Sequence, residues 1–106
     1  MATIALPRAY ALTLGTASAQ ILPINLTRKG LFFLNGSGTI TVAFCPSNQV
    51  VGGNLAALAA AVNGAGSYTL LPLGSLWIPQ IAGLDCGCAW NAIATSPGTP
   101  LTVWEF

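Results

Sequence analysis

The chain has 106 residues, of which 54% are hydrophobic and only 5% charged, against about 25% charged in an ordinary soluble domain. The charged residues are Arg8, Arg28, Lys29, Asp85 and Glu105, and histidine is absent. Such a balance excludes disorder, which needs low hydrophobicity and high charge, and argues against nucleic acid, whose phosphates are held by many Lys and Arg contacts. The length suits one domain with a single core.

In chain order, residues 1–8 lack strand alternation and carry Pro7; they are expected to form an N-terminal arm ending at Arg8, with 9–106 as a single domain. Residues 10–14 and 20–22 read as strands flanking a turn at Gly15. Ala17-Ser18-Ala19 has the form of a signal-peptidase site, but no positive charge precedes Arg8 and the apolar stretch before it is short, so secretion is not expected. Residues 28–35 are apolar on both faces, as in a central strand covered on both sides. Residues 38–45 alternate, with Ile40, Val42 and Phe44 on one face. Residues 54–63, rich in alanine and leucine between asparagines, predict a two-turn helix on a long loop, fenced by Gly52-Gly53 and Gly64-Ala65-Gly66. Short strands over 67–71 and 75–78 meet at Pro72-Leu73-Gly74. Residues 88–95 set Trp90, Ala92 and Ala94 against Asn91 and Ile93. Residues 101–106 set Leu101, Val103 and Glu105 against Thr102, Trp104 and Phe106.

Seven or eight short strands separated by turns predict an all-β fold, an antiparallel β-sandwich of jelly-roll type with one short helix. Ile40, Val42, Phe44, Leu70, Leu76, Ile78, Ile93, Leu101 and Val103 form the expected core, and Trp90 fits it because Ala92 and Ala94 leave room for its ring. The longest apolar stretch, 55–62, is too short to span a bilayer.

Catalytic chemistry finds little to work with. Acid–base pairs need two titratable groups in one site, and the two carboxylates are Asp85, beside a turn, and Glu105, the penultimate residue. Triads built on histidine are impossible. The glycine clusters at 36–38 and 64–66 do not precede a helix in a phosphate-binding context. Asp85-Cys86-Gly87-Cys88 and Cys45 fall short of the four ligands of structural zinc, and the three thiols read as buried or half-buried residues near a turn, with a disulfide from Cys45 or a bond between subunits as alternatives. No enzyme activity, metal or cofactor is expected.

A small monomer with so little charge is poorly soluble, whereas a component of a large assembly buries its apolar surface as interface. If the aliphatic sides of the strands fill the core, Trp77, Trp104 and Phe106 face outwards, where interface anchors belong. Those three residues, with Arg8 at the end of the arm, are the candidate contacts. Aromatic rings can also stack on sugars, so glycan binding is a second reading.

Several segments carry a resemblance: Arg28-Lys29-Gly30-Leu31-Phe32-Phe33-Leu34-Asn35, Thr41-Val42-Ala43-Phe44, Gly66-Ser67-Tyr68-Thr69-Leu70-Leu71-Pro72-Leu73-Gly74-Ser75-Leu76, Trp90-Asn91-Ala92-Ile93-Ala94 and Leu101-Thr102-Val103-Trp104-Glu105. Over residues 10–106 their order resembles small β-sandwich virion proteins of tailed bacteriophages, in which an R-K-x-L-x-x-x-N strand precedes a V-A-F-like strand, an L-x-P-G-G-S turn, an A-I-A strand and a terminal T-V-x-E strand. The chain departs from that pattern in the alanine-rich insert and in Cys86-Gly87-Cys88. The resemblance implies a virion structural role, as capsid decoration or cement, or as a head-fibre or tail base that binds a receptor. The expected partners are the major capsid protein and further copies of the chain, as trimers or other oligomers, on a capsid surface assembled in the host cytoplasm.

Overall fold

A computed structural model describes residues 8–51, 54–80 and 86–106. The described residues contain strands and turns only. In chain order the strands are β1 (Arg8–Leu14), β2 (Ala19–Leu22), β3 (Gly30–Asn35), β4 (Val42–Pro46), β5 (Asn48–Val51), β6 (Asn54–Ala57), β7 (Tyr68–Leu70), β8 (Ser75–Pro79), β9 (Trp90–Ala94) and β10 (Thr99–Glu105). Two four-stranded antiparallel sheets, β1-β10-β3-β8 and β2-β9-β4-β7, make the predicted sandwich, and β5-β6 form a separate ribbon.

Alternation decides what lies between the sheets. From the first sheet come Leu14, Leu31, Phe33, Leu101 and Val103; from the second come Leu22, Val42, Phe44, Leu70, Trp90, Ala92 and Ala94, all buried. At the centre the rings of Phe33 and Phe44 stack across the sheets at 3.9 Å and 8°, and Trp90 tilts against both, at 5.6 and 6.0 Å. Of the nine expected core residues, Val42, Phe44, Leu70, Leu101 and Val103 are buried, while Ile40, Leu76 and Ile78 are half-buried against the cluster. Ile93 is misassigned: it lies opposite Trp90, Ala92 and Ala94, on the outer side of β9.

Two buried polar residues, seven positions apart, close the ends of β3. At one end Asn35 donates through Nδ2 to the carbonyls of Ile40 (2.7 Å), Leu70 and Leu71 (both 3.2 Å), and its Oδ1 accepts from Ser37 N–H. At the other, the guanidinium of Arg28 is fully buried and meets Glu105 of β10. Unpaired, either group would cost several kcal/mol. Paired, each ties loops of both sheets to one strand.

Four corrections follow. No helix forms over residues 54–63. Residues 54–57 are β6, paired with β5 from Val51↔Asn54 to Asn48↔Ala57, and 58–63 run on as an irregular strap. A helix this short is marginal without packing, and here side chains take its donors: Ala60 N–H bonds Ser18 Oγ, Ala61 N–H bonds Ser67 Oγ and Asn63 N–H bonds Thr69 Oγ1. The strap crosses the outer side of the second sheet, where Cys45 Sγ and Asn91 Nδ2 both reach Leu58 O, at 3.9 and 2.9 Å. That cover explains why Ala43 and Cys45, on the outer side of β4, are buried. Second, β3 is a central strand but is covered on one side only; Phe32 and Leu34 are half-buried. Third, Arg8 opens β1 instead of ending an arm; residues 1–7 lie outside the described residues. Fourth, β4 starts at Val42, not at residue 38, because Ser37 Oγ captures the N–H groups of Thr39 and Ile40 in a turn.

Pro72-Leu73-Gly74 does make a turn, but it carries the chain from β7 in one sheet to β8 in the other. Gly74 N–H bonds Leu71 O at 2.8 Å, and Leu73 sits at φ 60°, a conformation that costs a residue with a Cβ about 1–2 kcal/mol. Leu73 is exposed. Leu73→Gly is therefore expected to raise stability by up to about 1 kcal/mol, a gain that thermal melting would register as a rise of several degrees; a fall would mean that Leu73 makes contacts the strain does not outweigh.

Candidate docking surface

The two sheets differ on their outer sides. The second is covered by the chain's own strap, whereas among the described residues nothing covers the first. On that bare side the register places Trp104 of β10, Phe32 of β3 and Trp77 of β8 in one row across adjacent strands, with Ala9 of β1 at its end. The Phe32 and Trp104 rings lie 6.5 Å apart. Phe106, just beyond β10, sets its ring edge-on to Trp77 at 5.4 Å. Trp77, Trp104 and Phe106 remain 48%, 45% and 45% exposed, although side chains this large usually gain most from burial.

Each ring is held from behind. Glu105 points inward between Trp104 and Phe106 because Arg28 binds it there: Nε and Nη2 both lie 2.7 Å from Oε2. The other guanidinium hydrogens go to the carbonyls of Cys86 (2.8 Å), Cys88 (2.9 Å) and Pro23 (3.0 Å), so all five donors are used. Phe106 is fixed through its backbone, its N–H to Gly30 O and its C=O to Lys29 N–H. Trp77 lies over Gly30, where any Cβ would run into the indole. Glycine at position 30 is thus the seat of the tryptophan.

Of the four residues singled out from sequence, the structure brings Trp77, Trp104 and Phe106 together. Arg8 stands apart: it shares the inward side of its strand with Tyr10, its side chain is 71% exposed, and its Nη1 lies 3.7 Å from Glu105 Oε1 at the sheet's corner. Phe32, the middle of the row, was missed. Its signal was present in the apolar run on both sides of β3, where Phe32 alternates with the core residues Leu31 and Phe33.

Asp85 lies outside the described residues. Cys45 and Cys86 are buried, and Cys88 is half-buried. Burial pushes the Cys45 thiol above its ordinary range, with a hydrogen bond from Ser67 working the other way, so little of it is the reactive thiolate. Among the described residues no group of three His, Cys, Asp or Glu side chains is placed to hold a metal ion, and no helix is long and apolar enough to cross a membrane. No protein-family model matches the sequence, and no curated protein or solved structure matches it.

Proposed function

We propose that the protein is a virion structural component, a capsid decoration or cement protein that docks on major capsid subunits through the outer side of its first sheet. The observation that carries the reading is a row of half-exposed aromatic rings, free of charged neighbours within the row, on a sheet side that none of the described residues covers. The resemblance of residues 10–106 to small virion proteins supplies the setting. The work would be mechanical. Burying apolar surface is worth about 25 cal/mol per Å², part of it lost to the cost of association, and many copies would together resist internal pressure. The half-exposed rings also suit a fibre base or receptor-binding module that stacks on glycans, which is the second reading.

Purified particles separate the two. Cement should approach the copy number of the major capsid protein, whereas a fibre or tail part should be far rarer. Trp77→Ala and Trp104→Ala are each expected to leave melting nearly unchanged and to weaken attachment by ~2 kcal/mol or more, read as lost occupancy after sedimentation. Full occupancy in both variants would remove the aromatic row from the docking surface, and a low copy number with binding to immobilised glycans would favour the second reading.

A further inference from the structure

Among the described residues the two sheets end in four edge strands, β1, β8, β2 and β7, and an edge strand carries backbone groups able to template another strand. Three of the four are blunted. Strand β7 has three residues, β2 has four with a register shift between Gln20 and Leu22, and β8 ends in Pro79, which has no N–H to give. Strand β1 has none of these protections. Its seven residues pair in unbroken register with β10 on one side, it holds no proline, glycine or bulge, and its one charge is at its first residue. Ala9, Ala11 and Thr13 are exposed along its outer side.

We infer that β1 pairs with β1 of a second copy, antiparallel about a two-fold axis through Ala11, joining two sandwiches into a dimer with one continuous eight-stranded sheet. The register follows from geometry. In an antiparallel pair, residues opposite each other turn their backbone groups either both toward the partner strand or both away from it, in alternation, and in two identical strands that requires positions of the same parity. Among the registers allowed, the one centred on Ala11 pairs all seven residues: Arg8 with Leu14, Ala9 with Thr13, Tyr10 with Leu12, and Ala11 with itself. No like charges face each other, and the side chains meeting on the outer side are small. The pairing uses up the unprotected edge in both copies, so it closes on itself as an isologous contact should.

Parity has a further consequence. Outer side must continue into outer side, so the Trp104-Phe32-Trp77 rows of both copies come to lie on the same side of the joined sheet. At nearly half exposure the three exposed rings of one copy offer roughly 300 Å², well short of the ~800 Å² per partner of a standard interface. The dimer presents two such rows in fixed relation. This pairing stands independently of what the rows dock onto.

Sedimentation velocity of the free protein, without particles, tests it over a concentration series. The wild-type chain is expected at twice its 10.8 kDa. Ala9→Lys with Thr13→Lys puts like charges opposite each other twice across the axis and is expected to raise the dissociation constant more than about tenfold. Ala9→Glu with Thr13→Lys, which in this register sets opposite charges face to face, is expected to restore the dimer. Melting of all three proteins should show the same folded domain. A monomeric or trimeric wild type, a dimer indifferent to the double lysine variant, a glutamate–lysine variant that stays monomeric, or a dimer dissolved instead by Trp77→Ala would each overturn the inference.

Discussion

Arg28→Ala is expected to destabilise the domain by about 3–5 kcal/mol. Removing the guanidinium leaves Glu105 buried without its closest cation, since Arg8 is mostly in solvent and lies 3.7 Å away. It also leaves the carbonyls of Pro23, Cys86 and Cys88 without the donors that reach them from Arg28. A small domain has only about 5–15 kcal/mol in all, and each kcal/mol moves the melting temperature by ~4–8 °C at this size, so the variant should melt well over ten degrees lower. Combining Arg28→Met with Glu105→Leu should recover part of the loss, because the stranded carboxylate is gone, but not all of it, because the carbonyls remain. A melting temperature within a few degrees of wild type for Arg28→Ala would show that water reaches this corner and replaces the guanidinium. The pair matters for the docking surface as well, since it turns Glu105 inward and so sets Trp104 and Phe106 outward.

Phe33→Ala is expected to cost a similar ~3–5 kcal/mol, for a different reason. Phe33 is fully buried, stacked on Phe44 and tilted against Trp90, so its loss opens a cavity where the two sheets meet. Its neighbour in sequence provides the contrast. Phe32→Ala removes a half-buried ring from the outer side and should cost distinctly less stability. If chemical denaturation showed equal losses for the two, the inner and outer sides of β3 would be wrongly assigned, and with them the whole aromatic row.

Much of this was legible because alternation is a local signal. Along β9 and β10 the spacing of Trp90, Ala92 and Ala94, and of Leu101, Val103 and Glu105, separates inner from outer directly, and in both strands the structure keeps those sides. Glu105 on an apolar side also hints at a buried partner, and few cations are available to be one; which of them arrives depends on how the β2–β3 loop folds back, a long-range matter. The alanine-rich insert misleads because helix propensity is intrinsic to a segment, whereas its donors are taken by Ser18, Ser67 and Thr69 from elsewhere in the chain. Ile93 fails for a related reason: the strap covers the second sheet's outer side, so an aliphatic residue there no longer marks the core. The bare side of the first sheet was legible in Trp77, Trp104 and Phe106, but their convergence on Phe32 depends on strand order, which alternation within one strand does not reveal.

The three tryptophans provide a direct test of the docking surface. Hydroxyl-radical footprinting read by mass spectrometry would compare oxidation of Trp77, Trp90 and Trp104 in the free protein and on assembled particles, with buried Trp90 as the internal reference. The expected result is strong labelling of Trp77 and Trp104 in the free protein, falling to the level of Trp90 on particles. Equal labelling of Trp77 and Trp104 in both states would contradict docking through the aromatic row.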